Sequence, residues 1–522
     1  MSARASKIAR RLGSLLLLAA GGFCVAASSP PVQGVGHLQV ETRDAETGQL
    51  VAARLYLTDL SGAARTPASV VAYDKGPEHH FVAAGRFETD LPPGDYRLVV
   101  ERGTEYAPAS GNLAVRSGET LRHTIRLKRW IDMNRRGWYS GDLHNHRRLD
   151  EMPLLLQAED LNLAPTITDW ICEDRAVAAS PSVSNAFRQA GDRHHYSVLD
   201  QEVERLEAGP GAVALLGLRS PIQFEGYRLH PPNSIFCTRA RAQGGFIDAE
   251  KIVWRDGAAL AALGLLDFVG IVHNHFNRHD VELETDRWGM IPKFRPEFNT
   301  VAGMPLWSME VYYHLLNCGF RMPVSAGSAS GVKAAPLGYN RVYVRMTEPF
   351  SYATWFQSLK AGRSFATNGP MLFLSADGQQ PGSELRGEGP RTVRLRAEAL
   401  SSRPLERLEI VVGGRVIQSV SRPDADGRWV IEVDQAFSHD GWVAARCFEP
   451  AGRTIRFAHT SPIYVNLGRP TSAADDAKFF LAWIDREIGF YTTAPGFRDP
   501  SHREEMLEFF RTARSVYARL AR

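Results

Sequence analysis

The sequence predicts a multidomain chain in which an α/β region is flanked by two β-sandwich regions and followed by a helical segment. At 522 residues with 44% hydrophobic content, the chain is long enough for three or four domains of about 150 residues each. Short alternating strands separated by turns fill the first and third parts, whereas apolar strands alternate with helices in the second. Alternating β and α units are typical of a parallel sheet or barrel with active groups at the carboxyl ends of the strands.

The first residues have the composition of an export signal. Basic residues precede the apolar run Leu15 to Ala20, and small residues follow it. This order predicts a signal peptide over residues 1–27 and a linker over 28–36, and so a periplasmic or secreted protein. Arg10-Arg11 also allows a twin-arginine route. The apolar run is short for a spanning helix, so no transmembrane helix is expected in the mature chain, with an uncleaved anchor as the alternative.

Charge and cysteine content narrow the choice of partners. The chain has 61 Lys+Arg against 58 Asp+Glu, a formal net charge of +3, so no basic excess favours nucleic acid. The expected partner is a small-molecule or envelope-derived substrate, and the oligomeric state is not predicted. The cysteines beyond the signal form no CxxC pair, which favours buried free thiols over a disulfide framework. They are Cys172, Cys237, Cys318 and Cys447.

The sequence predicts a small antiparallel β-sandwich over residues 37–129. The runs Arg54 to Thr58 and Tyr96 to Val100 alternate apolar and polar side chains, and Leu91 to Gly94 is a proline-glycine turn that enters the second run. This region resembles carboxypeptidase-regulatory-like or transthyretin-like modules. No chemistry is expected in it.

Residues 137–370 contain both candidate metal-binding motifs. His144-Asn145-His146 follows the strand-like Trp138 to Gly141, and His273-Asn274-His275 follows the apolar run Leu265 to Val272. Side chains two apart on a strand share a face, so both imidazoles of a tripeptide can reach one ion. A carboxylate ligand is also needed, and Asp200 to Glu204 is its natural source. One such tripeptide alone is more often structural, but two in one α/β region favour a metal site.

The sequence predicts a second β-sandwich over residues 371–468 and helices over residues 471–522. Leu408 to Val412 and Val416 to Val420, joined by Gly413-Gly414, form a predicted hairpin. Asp499 is a predicted cap for a helix that starts at Pro500. The aromatic stripe of this helix is expected to pack on the body as core.

A family resemblance adds to these patterns. Gly141-Asp142-Leu143-His144-Asn145-His146 resembles the opening motif of the PHP (polymerase and histidinol phosphatase) domain, and Gly362 to Pro370 is similar to a segment of its CehA/McbA branch. The similarity runs from about Trp138 to Pro370. It implies a distorted (β/α)₇ barrel and a zinc- or manganese-dependent hydrolase. The ligands that it implies are His144, His146, Glu202 and His275.

Three ligands of the family pattern are absent from this chain. Thr168-Asp169-Trp170 stands where the family has Thr-Asp-His, and Gly327 to Gly331 reads Gly-Ser-Ala-Ser-Gly where it has Gly-Ser-Asp-x-His. An indole cannot ligate a metal. The remaining groups predict one divalent ion with an open position for water. The reserve ligands for a second site are His273, His230, Glu173 and Glu310.

Three further residues are candidates for catalytic work. Asp169 would orient a ligand or accept a proton from bound water, and Asp142 would fix an imidazole tautomer. Arg341 would bind an anionic substrate group. The alternatives are loop caps for the two aspartates and a solvated or ion-paired arginine.

The leading hypothesis is an exported metal-dependent hydrolase that uses metal-bound water on an ester, amide or phosphoester bond. The alternative is a catalytically degenerate PHP-like protein that acts as an extracytoplasmic ligand-binding or interaction protein. The absent ligands are the argument for this alternative.

Overall fold

The computed structural model describes residues 34–172, 185–283 and 291–522. Within them the chain is multidomain, mixed α/β and rich in β-sheet, with seven α-helices and 29 strands, so the coarse fold prediction is confirmed. The predicted signal peptide, most of the linker and the reserve ligand Glu173 lie outside the described residues. In the described part of the chain, every helix is too short or too polar to cross a membrane.

The N-terminal region consists of two sheets that face each other. One has the strand order β5-β1-β8 and the other β3-β4-β2-β6-β7. Leu38 and Val40 from the first sheet pack with Leu55 and Leu98 from the second in one apolar core. The strands are β1 (Gly36–Asp44), β2 (Ala53–Asp59), β3 (Val71–Lys75), β4 (Glu78–Ala83), β5 (Arg86–Leu91), β6 (Gly94–Glu101), β7 (Ala109–Val115) and β8 (Thr120–Leu127).

The central region contains twelve strands and five helices within the described residues. The strands are β9 (Trp138–Gly141), β10 (Leu163–Ala164), β11 (Ile167–Cys172), β12 (Phe187–Gln189), β13 (His195–Ser197), β14 (Asp200–Arg205), β15 (Gly211–Leu216), β16 (Phe246–Ala249), β17 (Phe268–Val272), β18 (Val324–Ala326), β19 (Arg341–Arg345) and β20 (Ser364–Thr367). The helices are α1 (Met152–Ala158), α2 (Asn233–Ala242), α3 (Gly257–Ala262), α4 (Gly303–Asn317) and α5 (Tyr352–Lys360).

Its six-stranded sheet has the order β11-β14-β15-β16-β17-β18 and is mixed rather than wholly parallel. Strand β15 is antiparallel to both of its neighbours, and the other pairs are parallel. The connection from β14 to β15, residues 206–210, is too short for the crossover that parallel neighbours need. The candidate site nevertheless lies beside this sheet, where several of its strands end.

The C-terminal β region follows, with the predicted hairpin present as β24 and β25. Its strands are β21 (Met371–Ala376), β22 (Glu384–Arg386), β23 (Arg391–Leu400), β24 (Arg407–Val412), β25 (Arg415–Val420), β26 (Trp429–Phe437), β27 (Gly441–Phe448), β28 (Phe457–Thr460) and β29 (Ile463–Asn466). Strand β20 pairs with β28, so one twelve-stranded sheet runs from the central region into this one. Strand pairing is therefore continuous across the predicted boundary at residues 370 and 371.

Two long helices close the chain, α6 (Ala474–Thr493) and α7 (Pro500–Leu520). The Asp499 carboxylate caps α7 by accepting a hydrogen bond from the Ser501 backbone N–H at 2.8 Å. The aromatic stripe of α7 is buried as expected, and the Tyr517 hydroxyl donates to the carbonyl of Ala258 at 2.8 Å. Cys237, Cys318 and Cys447 are buried free thiols, as predicted, whereas Cys172 is half-buried.

Candidate metal centre

The first histidine pair lies on the extended segment that leaves β9. The Leu143 N–H donates to the Ala326 carbonyl at 3.0 Å, and the His146 N–H donates to the Ser330 carbonyl at 2.7 Å. These backbone bonds hold the segment against residues 326–330. Since residues 144 and 146 are two apart in an extended chain, both imidazoles point to the same side.

Three side-chain atoms converge there. The Nε2 atoms of His144 and His146 are 3.0 Å apart, and Glu202 Oε2 lies 3.3 Å from the first and 3.1 Å from the second. Ligand atoms held about 2.0 to 2.2 Å from one ion lie about 3.0 to 3.5 Å apart in tetrahedral or octahedral geometry. The triangle therefore has the dimensions of three metal ligands.

The carboxylate oxygens at the centre also fit a cation. Glu202 Oε2 is buried and accepts no hydrogen bond of normal geometry from any residue in the described part of the chain, and Glu250 Oε2 is buried against His144 Nδ1. A buried carboxylate oxygen without a partner is costly, and a bound cation removes that cost. Imidazole and carboxylate donors together suit zinc or manganese.

Two glutamates that sequence reasoning missed complete the cluster. Glu250 follows β16 directly, and its Oε2 lies 2.5 Å from His144 Nδ1. Glu204 lies two residues after Glu202, on the same face of β14, and ligand atoms of Glu202, Glu204 and Glu250 all lie within 4.8 Å of one another. Glu250 could have been found from the sequence, because it directly follows the short strand-like run 246–249, just as the histidine motifs follow strands.

Lys251 neutralises part of this negative charge. Its ammonium donates to Glu250 Oε1 at 2.5 Å and to Asn274 Oδ1 at 2.9 Å, and the Trp254 indole N–H donates to the same Glu250 oxygen at 3.2 Å. Burial alone would lower the pKa of Lys251, but the surrounding glutamates, Glu250 above all, outweigh it and raise that pKa. A cation already lies beside Glu250, which favours one metal ion over two.

The carboxylates separate the pKa values of the two imidazoles. Burial lowers the pKa of both, but at His144 the charges of Glu202 and Glu250 outweigh burial and raise the pKa to about 10. At His146 burial prevails and the pKa is lowered. A metal binds only the unprotonated ring nitrogen, so metal binding at His144 displaces a proton.

A cavity of about 220 Å³ opens onto the cluster. Its lining includes His144, Glu202, Lys251 and Trp170. The Trp170 ring lies 5.1 Å from the ring of His146 and is 36% exposed, and its indole N–H donates to Glu204 Oε2 at 3.2 Å. The tryptophan that stands where the family has a ligand histidine thus forms one wall of the cavity.

The second tripeptide does not join the ligand triangle. His275 lines the cavity, but its Nδ1 lies 3.1 Å from the backbone carbonyl oxygen of Glu282, and it belongs to neither group of ligand atoms within 4.8 Å. His273 Nε2 lies 3.2 Å from Ser308 Oγ, and its ring lies 4.5 Å from that of Phe276. Of the five ligands expected from the sequence, the structure brings together His144, His146 and Glu202.

The two predicted catalytic aspartates have structural contacts. Asp142 accepts hydrogen bonds from the backbone N–H groups of His144, Ser328 and Gly338, at 3.1, 3.0 and 2.7 Å. It therefore positions backbone, and Glu250 is the carboxylate beside the His144 ring. Asp169 accepts from the Gln201 amide at 3.2 Å and lies on the face of β11 opposite to Trp170, because adjacent strand residues alternate.

Arg341 and the reserve ligands His230 and Glu310 lie elsewhere. Arg341 lines a different cleft, which shares no residue with the cavity at the cluster. His230 pairs with Glu505 at 2.8 Å, and Glu310 pairs with Arg295 at 2.8 Å. Neither His230 nor Glu310 belongs to a group of described residues whose ligand atoms lie within 4.8 Å of one another.

Comparisons with known proteins identify no family. The chain matches no protein-family model and no curated protein. Among solved structures, the minor pilin of Streptococcus agalactiae is 20% identical over 19% of this chain and 47% of its own, with a TM-score of 0.16. The TIE protein of Bacillus anthracis is 14% identical over 22% of this chain and 20% of its own, with a TM-score of 0.15. A β-glucuronidase of Parabacteroides merdae is 7% identical over 81% of this chain and 60% of its own, with a TM-score of 0.17.

Proposed function

We propose that this chain is a metal-dependent hydrolase that holds one divalent cation, zinc or manganese, between His144, His146 and Glu202. The observation that carries the proposal is the triangle of their ligand atoms, with edges of 3.0, 3.1 and 3.3 Å. When bound at such a site, the ion lowers the pKa of a coordinated water to about 7 and polarises an ester, amide or phosphoester oxygen.

The chain's own residues orient the ligands and shape the cavity. Glu250 beside His144 Nδ1 fixes the ring so that Nε2 faces the triangle. Lys251 holds Glu250 in place and adds positive charge to the cavity wall. Trp170 and Trp254 form part of the cavity wall. A volume of about 220 Å³ admits the scissile group of a small substrate rather than a long polymer segment.

The PHP and CehA/McbA identity, with its distorted (β/α)₇ barrel, is part of the same proposal. Two of the three positions where that family carries further ligands adjoin the histidine pair. The ring of Trp170 lies 5.1 Å from that of His146, and the Ala329 N–H donates to the carbonyl of His144 at 2.6 Å. Neither side chain offers a ligand atom, which agrees with a site reduced to one ion. Export is proposed from the composition of residues 1–27.

Metal analysis of the purified full chain tests the proposal. After supplementation with zinc and manganese, the protein should contain about one equivalent of metal, and the His144→Ala/His146→Ala variant should contain almost none. His439→Ala, at an exposed histidine, is the matched control and should retain the metal. The metal-loaded protein, but not the chelator-treated one, should hydrolyse at least one ester, amide or phosphoester in a substrate panel.

Two results would contradict the proposal and favour the ligand-binding alternative. One is a native protein that binds no metal after supplementation. The other is a protein that binds metal but hydrolyses none of the panel at a rate above that of the double variant.

A further inference from the structure

A second cleft lies where the N-terminal, central and C-terminal β regions meet. Its cavity volume is about 50 Å³, and it shares no lining residue with the cavity at the metal centre. The charged side chains that line it are Arg54, Arg278, Arg341, Arg403, Arg456, Glu101 and Glu159. Five arginines against two glutamates indicate a local excess of positive charge.

Two of the arginines are balanced by the two glutamates. Arg54 pairs with Glu101 at 2.6 Å and also contacts Glu159. Arg278 pairs with the other oxygen of Glu101 at 2.6 Å. The remaining arginines, Arg341, Arg403 and Arg456, form no ion pair within the described residues. The excess charge of the cleft therefore belongs to these three side chains.

Arg341 contributes a buried guanidinium with an unused donor. It is 1% exposed, its Nε donates to the Gly338 carbonyl at 2.6 Å, and its Nη2 donates to the Glu159 carbonyl at 3.3 Å. Its Nη1 is buried and has no hydrogen-bond partner among the described residues. A buried charged donor without a partner is destabilising, and a ligand oxygen at Nη1 would remove that cost.

Gly338 makes room for this guanidinium. A Cβ at Gly338 would lie 2.7 Å from Arg341 Nη2, and the residue has a φ of +70°, which residues other than glycine rarely adopt. A Cβ at Gly103 would first meet the Glu159 carbonyl oxygen, at 2.1 Å, and would lie 3.3 Å from Arg341 Nη2. The backbone at Gly338 is therefore shaped around a buried positive group.

Arg403 and Arg456 bring two more positive charges to the same cleft. Arg403 is exposed and Arg456 is half-buried. The charge of Arg456 is the largest influence on Arg403 and lowers its pKa, followed by burial, with Glu449 opposing them. Two like charges held close together are unfavourable unless an anion lies between them.

We propose that this cleft binds a small oxyanion, either free phosphate or sulfate or the phosphate or sulfate group of a larger ligand. Arg341 would bind it from the buried side, and Arg403 and Arg456 from the exposed side. Guanidinium groups suit such anions because their planar N–H donors match pairs of oxyanion oxygens. A bound anion would tie all three regions together. This proposal goes beyond the hydrolase proposal and does not depend on it.

Titration of the full chain with inorganic phosphate, at ionic strength matched with sodium chloride, tests the proposal. Calorimetry should show saturable binding, and the thermal midpoint should rise with phosphate but not with chloride. The Arg403→Gln/Arg456→Gln variant should bind phosphate about tenfold or more weakly, because two charge-assisted contacts are lost. Arg453→Gln, at an exposed arginine outside the cleft, is the matched control and should bind like the unaltered chain.

A second arm separates the sources of the oxyanion. Glucose 6-phosphate that binds more tightly than inorganic phosphate, and loses this binding in the double variant, would assign the cleft to a phosphorylated ligand. Inorganic phosphate that binds at least as tightly would assign it to the free ion. The proposal fails if phosphate has no effect beyond that of chloride, or if the double variant binds phosphate as well as the Arg453→Gln control.

Discussion

The two His-Asn-His tripeptides have identical sequences and similar distances between their rings, yet their chemical surroundings differ. Ring centroids are 5.1 Å apart in the first pair and 5.5 Å apart in the second. In the first, both Nε2 atoms lie within 3.3 Å of one carboxylate oxygen of Glu202. In the second, His273 lies beside the Ser308 hydroxyl and a phenylalanine ring, and His275 beside a backbone carbonyl.

The difference shows that neighbouring strands and helices, rather than the tripeptide itself, determine its chemistry. Strand β14 and the end of β16 bring Glu202 and Glu250 to His144 and raise its pKa to about 10. Helix α4 brings Ser308 to His273, whose burial lowers its pKa to about 3. The pairs are still linked, because Asn274 accepts a hydrogen bond from Lys251, which holds Glu250 beside His144.

The largest effect is expected at the carboxylate that only the first pair has. Glu202→Gln should weaken metal binding by at least about 100-fold, because it removes a charged ligand rather than one of the groups that orient ligands. Competition with a chromophoric chelator measures this. Glu204→Gln is the control, since it changes the same residue type on the same face of β14, and it should weaken metal binding by less than about tenfold. Equal losses would mean that both carboxylates ligate the ion.

A smaller effect is expected at the carboxylate that orients the first pair. Glu250→Gln should weaken metal binding by about 10- to 100-fold, the usual cost of losing a group that fixes a ligand imidazole. Glu282→Gln is the control, since Glu282 lines the same cavity but its side chain pairs with Lys333. The same chelator competition applies. Unchanged affinity in Glu250→Gln would remove Glu250 from the centre.

The smallest effect on metal affinity is expected at the second pair, where the expected effect is on stability instead. His273 has a pKa of about 3 in the fold against 6.5 unfolded, so below pH 6.5 the unfolded state binds the extra proton. Its contribution to stability is therefore complete above pH 6.5 and declines towards pH 3, by up to about 1.4 kcal/mol per pH unit.

His273→Phe removes this titration. Its thermal midpoint should fall less steeply than that of the unaltered chain between pH 6.5 and 4, while its metal content stays unchanged. If the thermal midpoints of the variant and the unaltered chain change in parallel with pH, His273 is not neutral and buried in the fold. If the variant loses the metal, His273 is one of its ligands.

The sequence pattern indicated the two histidines and an acidic run as candidate metal ligands, and the family resemblance selected Glu202 within that run. His144 and His146 lie two apart after a strand, and Glu202 lies in an acidic run that precedes the apolar strand β15. Glu250 and Lys251 were missed, because the order β14-β15-β16 in the six-stranded sheet, which brings them towards His144, is not visible in the sequence around them. His273 carries the same local signal as His144, and only the packing of α4 distinguishes it.

The same division applies to the fold. Helix α7 with its Asp499 cap and the hairpin of β24 and β25 depend on residues close in sequence, and both were predicted. The pairing of β15 with β16 and the pairing of β20 with β28 join segments that are distant in the sequence, and no local pattern specifies them.

The pairing of β20 with β28 has a consequence for how the chain can be divided. A polypeptide shortened after Pro370 would retain β20 without β28, so the N–H and C=O groups along that edge of β20 would be unpaired. Such an edge recruits strands from other molecules, so the shortened chain would tend to aggregate. The central and C-terminal regions should therefore be expressed together, although their sequence patterns differ.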